Sequence, residues 1–210
     1  MGDFFGGIAA LPLHGLGALA VILAYALQSE VRFGARARSH STGGSDRGST
    51  RALSLASAVP VLGFVLAMKA PGSSWIPEWF RAATLPGMPA IAWAGVAAGF
   101  AGCGVRLWSV LTLRERYTRT LLTHDGHAVE RGGPYRWVRH PGYLGSLLVL
   151  NGVAMASGNW PTLLASLGAT LVAYMYRIRV EDEMLVGALG EEYAAYRREV
   201  GALVPWGRRT

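Results

Sequence analysis

Apolar residues in this chain gather into long runs separated by shorter polar stretches. The first run, Gly6 to Leu27, has about the length needed to cross a bilayer and contains Pro12 and His14. It lacks the basic start and small-residue cleavage pattern of a signal peptide, which predicts a retained helix. A polar loop over 28–51 follows, its EVRFGARARSHSTGGSDRGSTR rich in glycine and serine. A second span is predicted from Ala52 to Ala70, with Pro60 as a kink. The stretch PGSSWIPEWFRAATLPGMP then sets Trp75, Trp79 and Phe80 among prolines, the composition of a connection at headgroup depth. A third span covers Met88 to Leu113, and a further apolar stretch runs from Leu144 to Tyr176. SGNWP, Ser157 to Pro161, breaks that stretch into a tight helical hairpin whose halves are short for full spans.

The pattern therefore predicts an all-α integral membrane protein with about five transmembrane helices. Residues 1–113 would hold the first three helices and the 28–51 loop; 114–210 would form a C-terminal catalytic region with the hairpin and a tail. Composition agrees: 51% of the 210 residues are hydrophobic and 16% charged, against about 25% charged in ordinary soluble domains. One cysteine, Cys103, excludes an intrachain disulfide and cysteine-based metal clusters and reads as a small buried hydrophobe. The net charge of +7 raises nucleic acid as a partner, but the arginines lie in loops between apolar runs. Arg32, Arg36, Arg38, Arg47 and Arg51 fall in the first loop, and Arg114, Arg116, Arg119, Arg131, Arg136 and Arg139 in the third. Arg177, Arg179, Arg197, Arg198, Arg208 and Arg209 follow the hairpin. With five spans all three groups share one side, opposite Arg81 and Lys69. The positive-inside rule makes that side cytoplasmic, puts the N-terminus outside, and favours membrane lipid over nucleic acid.

Two polar segments then stand out. RGGPYRWVRHPGYLG, Arg131 to Gly145, leads into the fourth helix; YRIRVEDEMLVGALGEEYAAYRREV, Tyr176 to Val200, carries the fifth helix beyond the membrane. Gly132, Gly133 and Gly142 let backbone approach a ligand closely, while Pro134 and Pro141 fix chain direction. Tyr135 and Tyr143 offer faces to an aromatic ring or a cation. Arg177 and Glu181 lie one turn apart on one helical face, extended by Tyr174 and Met184. Gly190 reads as a helix stop, followed by a short amphipathic helix with Tyr193, Tyr196 and Val200 inward. Glu181 suits an ammonium or ribose hydroxyls, and Arg177 a carboxylate. Each also has a plainer reading. Arg131, Arg136 and Arg139 serve equally as headgroup anchors, Arg177–Glu181 as a helix-surface ion pair, and His140 as a helix cap. Arg106, inside the third span, is either functional or snorkels to the cytoplasmic surface. His124, His127 and His140 lack the spacing of a metal site.

Together, HAVERGGPYRWVRHPGYLG and RIRVEDEMLVGALGEEYAAYRREV resemble the isoprenylcysteine carboxyl methyltransferase family and its bacterial relatives, over roughly Leu113 to Pro205. The resemblance implies an integral membrane enzyme using S-adenosylmethionine from a cytoplasm-facing pocket, and the Ala/Gly/Arg-rich composition points to a bacterial inner membrane. It implies cofactor contacts from His127, Ala128, Val129, Glu130, Tyr135, His140, Pro141, Gly142, Tyr143 and Glu181. Arg177 matches the family's substrate-side arginine, so Arg177 and Glu181 become the catalytic candidates, with Arg106 as a second substrate-side residue. Two departures are visible: AVERG replaces the usual Leu-Val-Thr before the glycine, so Glu130 is expected to contribute backbone, and Asp182 stands where a second glutamate is usual. The implied acceptor is lipophilic and membrane-embedded, a small molecule or prenylated substrate with a carboxylate to methylate; lipid amines and small thiols are alternative acceptors. An NADPH-dependent membrane reductase of the sterol type and a non-catalytic scaffold are the competing classes.

Overall fold

The computed structural model describes residues 12–33, 47–113 and 129–205. His124, His127, Ala128, Arg36, Arg38 and the arginines at 114, 116, 119, 208 and 209 lie outside them. Helix α1 is Leu13–Phe33, α2 Ser49–Lys69, α3 the single turn Glu78–Arg81, and α4 Ala90–Leu113. A 3-10 turn, Gly133–Arg136, precedes α5 (Pro141–Ala156), α6 (Trp160–Leu189) and α7 (Glu191–Glu199).

Five of these helices are apolar. Ser49–Gly72, Ala90–Leu113 and Trp160–Leu189 are long and apolar enough to cross a membrane, while Leu13–Gln28 and Pro141–Ala156 are shorter apolar stretches. The segmentation expected from the apolar runs holds, with shifted ends. Pro12 does not interrupt α1 but starts it, its carbonyl accepting from the amides of Gly15 and Leu16. The first polar loop is shorter than expected, because α1 runs on to Phe33 and α2 already begins at Ser49. The hairpin is unequal. At about 1.5 Å per residue, α5's 16 residues reach about 24 Å, and α6's 30 residues about 45 Å, against roughly 30 Å of hydrocarbon.

The hairpin break is built from hydrogen bonds that leave few backbone groups to lipid. Asn159 accepts from the Thr162 amide at 3.0 Å and donates to the Phe80 carbonyl at 2.8 Å. Leu85 N–H donates to Gly158 O and Trp160 N–H to Ala83 O, tying the turn to the α3–α4 connection. Gly158 takes φ +69, and a β-carbon there would sit 2.7 Å from the end of Met88. Trp75 and Trp79 in that connection are exposed, as aromatics at headgroup depth should be.

Packing between helices rests on small residues and buried polar pairs, as expected where lipid removes any hydrophobic drive to associate. Gly95, Gly99 and Gly102 of α4 face Gly145 and Gly152 of α5 with backbones nearly touching. A β-carbon on Gly102 would lie 2.5 Å from Gly145 O, and one on Gly152 2.6 Å from Gly95 O. Asn151 of α5 donates to Thr170 Oγ1 at 3.1 Å and accepts from Ser166 at 2.8 Å, joining α5 to α6. Gly63 makes room for Thr162 where α2 meets α6. Val21, Phe64, Val96, Cys103, Val149 and Val153 fill the centre.

Candidate functional site at the end of the last long helix

At Gly190, φ +59, the chain turns out of α6 and α7 folds back against it. The segment after α7 bends beside the His-Pro turn: Arg139 N–H donates to Gly201 O at 2.8 Å and His140 N–H to Ala202 O at 3.0 Å. Tyr193 and Tyr196 are buried as expected, with Val200 half-buried. Tyr196 donates to the Tyr135 carbonyl at 2.6 Å. Burial holds its hydroxyl up at about 12, so it remains a donor at any physiological pH.

Asp182 ties these pieces together. It is 2% exposed and accepts from Arg139 Nη2 at 2.9 Å, His140 Nε2 at 3.0 Å and Tyr193 Oη at 2.6 Å. Arg197 Nε lies 3.6 Å away. A carboxylate can only accept, so His140 carries its proton on Nε2. Burial, then the Asp182 charge, raises the Tyr193 hydroxyl well above the ordinary phenol range. Arg139 also donates to the Val200 carbonyl and to Arg197 O. It is therefore a buried clamp rather than a headgroup anchor. His140 sits at the N-cap of α5 without any side-chain capping bond; its imidazole goes to Asp182 instead.

Glu181, one residue earlier and roughly 100° around the helix, faces a different set. Its carboxylate accepts a short hydrogen bond from Tyr143 Oη, and its side chain is 21% exposed. Arg177 Nε donates to the same hydroxyl at 3.1 Å. Arg177 and Glu181 themselves are 4.0 Å apart, and Arg177 is 4% exposed, which sets aside a surface ion pair. Its Nη1 donates to Ser49 Oγ at 2.7 Å and reaches Thr50 Oγ1 at 3.4 Å. The Tyr143 ring stacks on His140, centroids 5.4 Å apart and planes within 10°, and lies 5.5 Å from Tyr174. Met184 is half-buried on the same helix.

Arg106 neither snorkels nor joins this pair. It is buried in α4, donates to Ser146 Oγ at 2.9 Å, and covers the Tyr25 ring at 5.0 Å. Tyr25 donates to the same Ser146 oxygen at 3.2 Å. Ser146 and Tyr143 share one turn of α5, so both arginine sites open onto one helix.

The remaining predicted residues are spread around the rim. Val129 N–H donates to Glu192 at 3.0 Å, and the Glu130 side chain accepts from the Gly132 amide at 2.8 Å. Tyr135 and Pro141 are buried, and the Gly142 carbonyl accepts from Ser146. Gly133 takes φ +52 against Thr112 and Trp108 of α4. Arg131 pairs with Glu199 at 2.7 Å and covers Tyr196, and Arg136 stacks on the exposed Trp137 ring at 4.7 Å. His127 and Ala128 fall outside the described residues. Sequence reasoning did not single out Ser49, Ser146 or Tyr25, which contact the two buried arginines. It treated Asp182 only as a residue standing where a second glutamate is usual. The partners of Asp182 lie 42 and 43 positions away, and neither that distance nor the small hydroxyls left a pattern in the sequence.

Among the described residues, a bundle of apolar helices closed at one end by a polar assembly from the His-Pro turn and the last long helix defines an integral membrane protein. Residues 96–187 match the model of the Isoprenylcysteine carboxyl methyltransferase (ICMT) family. That stretch contains Arg106, Tyr143, Arg177, Glu181 and Asp182. It is 26% identical over 139 residues to a protein-S-isoprenylcysteine O-methyltransferase of Tribolium castaneum, covering 64% of this chain and 50% of that protein. It is 42% identical over 78 residues to a methanethiol S-methyltransferase of Mycobacterium tuberculosis, covering 36% of this chain and 30% of the relative. The solved eukaryotic intramembrane Ras methyltransferase ICMT shares the fold, with TM-score 0.56 at 22% identity over 73% of this chain and 52% of the other. The chain thus spans about half, or less, of these relatives.

Proposed function

We propose that this protein is a methyltransferase that uses S-adenosylmethionine and methylates a lipophilic acceptor delivered from the bilayer, the acceptor group being a carboxylate. The observation that carries this reading is the meeting of Tyr143, Arg177 and Glu181 at one place within the family-matched stretch. The donor set suits a cationic amphiphile: a partly exposed carboxylate beside stacked aromatic rings attracts positive charge and covers an adenine-sized plane. Glu181 and the His140–Tyr143 turn would hold the cofactor, with Val129, Glu130 and Tyr135 as the rest of its floor.

When bound, the cofactor would supply a sulfonium methyl group, its thioether leaving as the acceptor attacks the methyl carbon in line. The protein's part is alignment and exclusion of water. Arg177 orients the acceptor carboxylate by a charge-assisted contact. A carboxylate is already a nucleophile at neutral pH, so no base is required, and His140 is committed to Asp182. Arg106 lies deeper on the acceptor side. The arginine bias of the loops supports a site facing the cytoplasm of a bacterial inner membrane, with the N-terminus outside.

A second reading, a thiol acceptor, is favoured by the local likeness to the mycobacterial S-methyltransferase. A thiol needs deprotonation before attack, so the two readings separate by pH dependence and by parallel assay of a thiol and an S-prenylated cysteine. Calorimetric titration of the detergent-purified chain against S-adenosylmethionine and NADPH tests the class. Saturable binding of the first alone is expected; binding of NADPH alone refutes a methyltransferase, and binding of neither leaves a scaffold. Labelled methyl donor incubated with membrane extract then identifies the acceptor.

A further inference from the structure

The head of α2 lies outside the family-matched residues, yet it closes on the centre of the site. Ser49, the first residue of α2, is fully buried and accepts from Arg177 Nη1 at 2.7 Å. On the other edge of the guanidinium, Nε donates to Tyr143 at 3.1 Å. The i,i+4 pair itself is loose: Arg177 Nε lies 4.0 Å from the Glu181 carboxylate, the outer limit of an ion pair, while the same guanidinium donates to Tyr143 and Ser49 at 3.1 and 2.7 Å. The turn that delivers Ser49 is unusual. Arg47 takes φ 47, the left-handed region that non-glycine residues rarely occupy, and Gly48 takes φ 76. Two contacts hold it there. The Tyr176 hydroxyl donates to the Arg47 carbonyl at 2.7 Å, and the Arg47 guanidinium pairs with Glu183 at 2.6 Å. The partners Tyr176, Arg177 and Glu183 all belong to α6, so Arg47 to Ser49 straps the helix that carries both proposed catalytic residues. Strain held in place by dedicated contacts beside a site is a pointer to function.

We propose that Ser49 is a positioning residue: it holds the Arg177 guanidinium away from Glu181, in the orientation that receives the acceptor's negative group. This rests on Arg177 being the acceptor-side arginine. Ser49 thereby brings the N-terminal half into acceptor selection, while the cofactor side remains the work of Glu181 and Tyr143.

The test uses the full chain in lipid nanodiscs, with Ser49→Ala, Arg177→Lys and the double variant. With S-adenosylmethionine and N-acetylated S-farnesylcysteine as probes, Ser49→Ala should raise the acceptor KM roughly tenfold, the size expected for a hydrogen bond to a charged group. It should leave kcat and cofactor affinity within about twofold. In the Arg177→Lys background, Ser49→Ala should add nothing, because its effect passes through the guanidinium. Losses that multiply in the double variant, or an unchanged KM in the single one, overturn the proposal. Spectra of isotope-labelled arginine give a readout that needs no turnover. The Arg177 side-chain N–H, assigned by its disappearance in Arg177→Lys, should be rigid in the parent and mobile in Ser49→Ala. A side chain equally rigid in both, or mobile in the parent, overturns the positioning role even if no acceptor is turned over. Absence of methyl transfer by the parent would instead defeat the reading on which it rests. Ser49→Cys keeps the volume with only a weak acceptor and repeats both measurements should the alanine variant fold poorly.

Discussion

Replacing Asp182 should unlock the C-terminal assembly from the His-Pro turn. Its side chain is 3% exposed and that of Arg139 8%, so removing the carboxylate strands a cation that cannot regain water. Stripping one partner from a buried pair costs about 3–5 kcal/mol. Arg139 retains the carbonyls of Val200 and Arg197, and these soften the loss without neutralising the charge. For a chain of this length, about 2–4 °C of melting temperature per kcal/mol puts Asp182→Ala roughly 6–20 °C below the parent. Asp182→Asn keeps one accepting oxygen but turns the other toward Arg139 or Tyr193 as a donor, and it should lose about 1.5–3 kcal/mol. The internal control is the neighbouring acid. Glu181 is partly exposed, so Glu181→Gln should shift the melt by no more than a few degrees.

Thermal unfolding in one detergent, followed by tryptophan emission, measures the difference. Amide hydrogen exchange localises it: Arg139 and His140 N–H, bonded to Gly201 and Ala202, should lose protection in Asp182→Ala and keep it in Glu181→Gln. An Asp182→Ala melt within about 2 °C of the parent, with those two amides still protected, would refute the claim that Asp182 organises this end of the molecule.

Glu181→Ala should weaken S-adenosylmethionine binding more than tenfold by calorimetry, consistent with loss of a charge-assisted contact; unchanged affinity removes Glu181 from the proposed pocket. Arg177→Ala should leave cofactor affinity within about threefold yet depress turnover of an acidic lipophilic acceptor at least tenfold, read in a labelled-methyl assay. Gly102→Ala would press a methyl to 2.5 Å from Gly145 O and should cost about 1–3 kcal/mol in thermal stability. Gly104→Ala, with open space around its β-carbon, should be neutral or stabilising by about 1 kcal/mol.

The helices were legible because membrane spans are written as contiguous apolar length, and SGNWP and Gly190 mark real breaks. Their exact ends were less so: Pro12 stands at the entry of α1, where proline is tolerated, and α6 runs on to Leu189 because tertiary partners cover its polar half. Within the site, Arg177 and Glu181 could be paired on paper because helical spacing puts them on one face. Asp182 as an organiser could not be read, since Arg139 and His140 lie 43 and 42 positions away. Ser49 stands 128 positions from the arginine it meets, and a serine in a polar loop carries no pattern that announces such a contact. The unequal hairpin shares this origin, since α5 ends where its break is bonded to the α3–α4 connection rather than where its apolar run gives out.

Depth across the bilayer explains why so many buried charges collect at one end. Counting about 1.5 Å per residue, Arg177 lies about 26 Å along α6 from Trp160 and Asp182 about 33 Å. Arg106 lies about 24 Å along α4 from Ala90. Those starts sit at the same face, joined through the connection that holds Asn159. The hydrocarbon is roughly 30 Å thick, so both buried arginines fall near its far boundary and Asp182 falls just beyond it. Burying a charge there costs far less than at the midplane, where neither water nor headgroups can reach it. The same boundary is where a water-soluble donor and a lipid-borne acceptor can approach from opposite directions. A glutamate left partly exposed on the polar side and an arginine sealed on the apolar side, one helical turn apart, match that division. Moving the pair one turn toward Trp160 would place the carboxylate in hydrocarbon, and one turn toward Gly190 would carry the arginine out to water.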